Sequence, residues 1–290
     1  MAEENAQFDH LDGPGRFTAL TALRPRAVVN TAVAAAITLS WIALIGLATG
    51  AAQVGIPVEG SPGVSLLRLL PELSFPVWIG NFVSLCIAPT ALGGTTGFLF
   101  LWAMWVLMAV AMMLPSAAPL IRTYCEIADA AEAKGEAVVH PLVLIAGYLL
   151  VWAGASLVFA ALTYMLTNAA APVTGLAASD TLGLAGLYQF STLKEACLDK
   201  CRHPFAILFS RWSSNPARIF RLGVEQGAWC LGCCWALMLV MFAVGVMNVF
   251  WMALIGLFTV VEKQLHGPLP SRLAGALLLV WAAALLVALR

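Results

Sequence analysis

Residues 27–50 run for twenty-four positions without a charge, about 36 Å as an α-helix at 1.5 Å per residue, which is enough to cross a bilayer. No other feature restricts the fold so strongly, because in hydrocarbon only helices and closed barrels satisfy their own backbone polar groups. A cleaved signal peptide has a shorter apolar core, placed nearer the N-terminus. The segment is therefore expected to be a retained first transmembrane helix. Further apolar stretches follow at 97–118, 141–167, 176–193, 223–245, 249–261 and 272–289. Together they predict an all-α, polytopic membrane helix bundle of seven spans, two of them short enough to need flanking polar residues. The stretch 75–88 is also apolar, but Pro76 and Pro89 bound it at fourteen residues. That length suits an interfacial or re-entrant element better than a crossing, and an eighth span stays open.

Composition agrees. Of 290 residues, 61% are hydrophobic and 10% charged, too few polar side chains to clothe a soluble globule of this length. Disorder and a disulfide-stapled mini-protein are excluded by the same figures. The net charge of zero leaves nothing to attract nucleic acid at long range. The expected organisation is a polar tail (1–26), a first helix with an external segment (27–96), and a six-helix membrane domain (97–290). Basic residues test the orientation. Thirteen of fifteen fall in the tail and in the loops after the second, fourth and sixth spans, whereas Arg68 and Arg290 fall on the other side. By the positive-inside rule this predicts a cytoplasmic N-terminus and an external C-terminus.

Five of the seven cysteines lie in the thirty-eight residues from Cys197 to Cys234. Cys197 and Cys201 are four apart, hence on one face if that segment is helical. Cys230, Cys233 and Cys234 fall within about 100° of arc on the fifth span, on a stripe shared with Gly223, Gln226, Gly227, Met238 and Met241. The topology brings both groups to one cytoplasmic depth, where a structural disulfide is not expected. Thiolates and thioethers suit Cu(I), Zn²⁺ or an iron–sulfur centre. A CxxxC…CxxCC pattern is no standard zinc ribbon, and small apolar cysteines can also simply pack a helix interface. For Cys86 and Cys125, which stand apart, packing is the expected role.

Other residues could join such a site. His203 follows Cys201 by two positions and is a candidate extra ligand, although a histidine before Pro204 also reads as a plain loop residue. Met104, Met108 and Met112 align at helical spacing, a pattern that fills core gaps more often than it binds copper. Pro115 cannot donate to the carbonyl of Ala111, so a kink and a freed acceptor are expected near Met113. Lys194 and Lys263 end apolar runs and are expected to snorkel towards the interface, whereas Gln189 and Glu225 are expected to face a polar interior. The segment 205–220 mixes aromatic residues with Arg211 and Arg218 and is expected to lie along the inner lipid headgroups.

The strings MMLPSAAPLIRTY, LAGLYQFSTLKEACLDKCRHP, WCLGCCWALM, GVMNVFWM and VVEKQL resemble, in order and over residues 97–285, a bacterial family of predicted metal-binding integral membrane proteins, domain of unknown function 2182. The resemblance implies a bacterial inner-membrane location. It singles out Cys197, Cys201, Cys230, Cys233 and Cys234, with Tyr188, Gln189, Lys194, Met238, Met247, Asn248, Glu262 and Lys263, and it brings no reaction with it. The reading that follows is a membrane protein that holds or delivers a soft ion, copper or zinc, through clustered cysteines, with His203, Met238 or Met112 as possible further ligands. Two alternatives stay open: a structural subunit packed laterally in a larger membrane complex, and a thiol–disulfide oxidoreductase.

Overall fold

The computed structural model describes residues 25–53, 94–168, 175–246 and 248–289. The tail up to residue 24, the apolar element at 75–88, Cys86 and Met247 lie outside the described residues. Among those described there are ten helices and no strand: α1 (Pro25–Gln53), α2 (Gly94–Ser116), α3 (Ala118–Glu132), α4 (Pro141–Asn168), α5 (Gly175–Tyr188), α6 (Thr192–Arg202), α7 (Pro204–Ser210), α8 (Pro216–Val244), α9 (Val249–Gln264) and α10 (Leu269–Ala288).

Five of these, α1, α2, α4, α8 and α10, are long and apolar enough to cross a membrane. Their surfaces agree, since only 17% of the apolar window of α10 and 28% of that of α1 is buried. Leucines exposed at that density are stable only against an apolar medium. The sequence predicts seven such helices, but α5 and α9, with 14 and 16 residues, fall short of the length. The cause in α5 is local. Its apolar run is cut after Tyr188 because the Ser191 hydroxyl accepts the backbone N–H of Lys194 at 3.1 Å and so starts a new helix;. Helix α6 is amphipathic, with Glu195 in its first turn and Lys200 and Arg202 in its last, each complementing the helix dipole;.

Helix α2 stops at Ser116, and Pro119 sits in the first turn of α3, where its missing N–H costs nothing. The amphipathic α3 was not anticipated. The carbonyl of Ala111 that Pro115 frees is taken by the Trp41 indole N–H of α1 at 3.1 Å.

Cross-links show which helix ends meet. Arg26 at the start of α1 reaches Glu126 on α3 (3.3 Å), the Tyr124 hydroxyl donates to Val139 O before α4 (2.8 Å), and Lys263 at the end of α9 reaches Ser116 at the end of α2 (2.8 Å). Helices α3, α6 and α7 gather at this end. There a second, smaller core of Leu120, Tyr124, Leu144, Leu208, Ile219 and Leu222 caps the main one. Helices α4 and α8 pack so closely that a Cβ on Gly223 would strike the Leu144 carbonyl and one on Gly147 the Phe220 carbonyl. Small residues at a crossing permit this backbone contact, and it fixes the register of α8 against Tyr148.

Candidate metal centre

Cys230, Cys233 and Cys234 sit midway along α8 and are each 1% exposed. Their sulfurs all lie within 4.8 Å of one another. Sulfurs bound to one soft ion at about 2.3 Å stand about 4 Å apart, so closure around an ion needs movements below an ångström. Their placement follows from α-helical period alone, since positions i, i+3 and i+4 share a face. The thiols of Cys233 and Cys234 both donate to the Cys230 carbonyl, at 3.1 and 2.7 Å, which turns them towards the same point.

Three other helices supply the walls. From α4, the Tyr148 hydroxyl stands 3.0 Å from Cys230 Sγ. From α2, Met113 places its thioether 3.5 Å from Cys234 Sγ. The Met113 carbonyl accepts from Tyr148 (3.1 Å) and from Ser116 (2.7 Å). From α9, the Lys263 ammonium donates to Cys230 Sγ at 3.0 Å and to the Ser116 hydroxyl at 2.8 Å. Lys263 is buried rather than snorkelling. A buried ammonium requires a negative partner, and the neighbouring carboxylate, Glu262, is already engaged. Both Glu262 oxygens meet Lys194 (2.8 and 3.0 Å), and Oε1 also accepts from Ser271 at 2.7 Å. Lys194 and Glu262 are each 1% exposed, so Lys194 does not snorkel either. The counter-charge of Lys263 is left to sulfur. Its electrostatic neighbours are Cys230, Cys233, Cys201 and Tyr148.

Helix α6 brings the other two cysteines. The Cys197 sulfur packs against Gly232, where an added Cβ would come within 2.7 Å of it, and Cys233 is its electrostatic neighbour. Burial, with a smaller contribution from Cys233, pushes the Cys197 thiol above its ordinary pKa. Both flanks of α6 are bolted to the α9–α10 corner, by Lys194 on Glu262 and by Arg202 donating to Glu262 O (2.8 Å) and Gly267 O (3.1 Å).

The remaining candidates take different places. His203 is more than half exposed, pairs with Asp199 at 3.4 Å and faces the His266 ring, so it is not brought to the sulfurs. Met112 packs against Gly256 of α9. Met238 lies one turn beyond Cys234, buried in the apolar core. Cys125 sits on α3 in that core, its thiol pushed up by burial first and by Asp129 second. Gln189 is buried, and neither atom of its amide has a partner. Glu225 is not enclosed as expected but sits half-buried between Arg211 and Arg221. All six described cysteines are free thiols.

Fold and site define a helical bundle, apolar enough for a membrane, that carries a buried set of soft donors beside an ammonium resting on sulfur. The chain belongs to the PpoB2 copper chaperone family, which matches residues 102–285. That stretch nearly coincides with the one carrying the resemblance read from the sequence, but the family it identifies has a copper description rather than an unknown function. No curated protein and no solved structure matches the chain.

Proposed function

We propose that this protein is a membrane-embedded copper carrier that holds one Cu(I) at Cys230, Cys233 and Cys234 and releases it to an acceptor. The observation that carries the reading is the convergence of three buried sulfurs within 4.8 Å, one of them 3.0 Å from an ammonium. Charge balance accommodates Cu(I). Two thiolates, one Cu(I) and the Lys263 ammonium sum to zero, and a site inside a low-dielectric bundle strongly favours neutrality. The third thiol and the Met113 thioether then act as neutral soft donors. Zinc would reach the same balance with all three sulfurs as thiolates, so the choice of copper rests on the copper description of the family.

Protein purified anaerobically and offered Cu(I) should hold one copper per chain, with sulfur neighbours at about 2.3 Å by X-ray absorption. Serine at all three triad positions should abolish that copper, and serine at Cys125 should retain it. Stoichiometric zinc in place of copper, or full copper in the triple variant, would overturn the assignment.

The orientation belongs to the same proposal. The helix ends that gather around the cysteines carry most of the basic residues, so they face the cytoplasm of a bacterial inner membrane. The exposed, stacked rings of Phe205 and Phe209 on α7 then rest at the headgroups. A cysteine introduced at exposed Ser214 should react with a membrane-impermeant maleimide only after the membrane is opened. Rapid reaction in intact cells would invert the orientation.

A further inference from the structure

A cleft of about 470 Å³ opens between α6, α7 and α8, lined by Cys197, Lys200, Arg211, Glu225, Gln226 and Trp229 among others. Cys197 and Gln226, at 4% and 3% exposure, form its depth, while Lys200 and Arg211 stand exposed at its mouth. The one carboxylate there is already satisfied, since Glu225 is held by Arg211 and, at 3.3 Å, by Arg221. Two lining cations, Lys200 and Arg211, against one acid, itself also held by Arg221 from outside the lining, leave a surplus of positive charge, which selects an anionic occupant;. Trp229, 38% exposed, adds a flat apolar wall. The volume lies in the range of small-molecule sites and is too small for a folded partner. Behind the floor the sulfur path continues, because Cys197 rests on Gly232 and neighbours Cys233 of the triad.

We propose that this cleft is a loading port that accepts Cu(I) as the complex of a low-molecular-weight thiol bearing carboxylates. The inference rests on the copper-carrier reading and names the donor for that same site. The carboxylates of the donor sit on Lys200 and Arg211, the latter exchanging Glu225 for the incoming acid. Transfer is a ligand exchange. The Cys197 sulfur forms a bond to Cu(I) as the donor sulfur–copper bond breaks, and the Cys197 proton leaves on the donor thiolate. Copper remains Cu(I), and no electron moves. A second exchange of the same kind passes the ion from Cys197 to Cys233, with the Cys233 proton returning to Cys197. Gly232 is required because any side chain there would displace the Cys197 sulfur from this path.

The test compares loading rates of the full-length protein in detergent from Cu(I)–glutathione and from Cu(I)–2-mercaptoethanol, which carries no carboxylate. The wild type should load at least tenfold faster from glutathione, and the advantage should shrink as salt rises. Lys200→Glu should slow loading from glutathione at least tenfold and leave the 2-mercaptoethanol rate within twofold. Ala228→Trp, which fills the exposed rim of the cleft, should slow the glutathione reaction without relying on any charged residue. Equal rates from the two donors, or a Lys200→Glu protein that loads like wild type, would overturn the port while leaving the carrier standing. A wild-type protein that takes copper from neither donor would instead overturn the carrier reading itself.

Discussion

Glu262→Ala should destabilise the bundle by about 3–5 kcal/mol, because it leaves the Lys194 ammonium buried with no counter-charge. Lys194 is 1% exposed, and its ion pair is with Glu262, so no rotamer change carries it to water without unpacking α6. The double variant Lys194→Met/Glu262→Met should recover most of the loss, since apolar side chains of similar volume replace a buried pair at little or no cost. Reversible unfolding in mixed micelles, followed by tryptophan fluorescence, provides the measurement. A single variant within 1 kcal/mol of wild type, or a double variant no better than the single, would contradict the buried-pair account. The loss should spread to copper loading, because the same pair anchors the helix that carries Cys197 and Cys201.

Lys263→Met should weaken Cu(I) binding about a hundredfold or more. A unit charge 4 Å away is worth about 4 kcal/mol at an effective dielectric of 20, and each 1.4 kcal/mol is a factor of ten. The sign follows from the charge count. Two thiolates with Cu(I) carry one net negative charge, and the ammonium neutralises it. Lys263→Arg keeps the charge and should retain most of the affinity. Competition with a chromophoric Cu(I) chelator reads both constants. If the ammonium instead acted by repelling the cation, Lys263→Met would bind more tightly, and the neutral-site argument would fall.

The sequence made the triad legible because three cysteines on one helix are related by a period of 3.6, a local property. The remaining walls were hidden for the opposite reason. Tyr148, Met113 and Lys263 come from three other helices, and no spacing along the chain relates them to Cys230. Lys263 and Lys194 resemble snorkelling lysines because each ends an apolar run. What distinguishes them is tertiary: the turn at Gly267 folds α10 back so that Ser271 and Lys194 close over Glu262. One usable signal was the adjacent acid–base pair Glu262–Lys263, which cannot serve both residues mutually once each is claimed from a different side. Long helices were read within a few residues, as in α1, α4 and α10. Helix α5 was overextended because a single capping residue, Ser191, outweighs the apolar Phe190 and Leu193 on either side of it, and α3 was missed because its polar face breaks the run on which the reading relied.

The hydrogen bond from Trp41 to the Ala111 carbonyl ties together a part of the chain outside the family match and a part within it. Trp41 lies outside the stretch that matches the copper chaperone family, and Pro115, which creates the need for a donor, lies within it. Without α1 the Ala111 carbonyl would be stranded in hydrocarbon, at a cost of several kcal/mol, two residues before Met113. The tryptophan and the proline are thus a matched pair. The indole answers the acceptor that the proline frees, and α1 is thereby fixed to the helix that carries Met113.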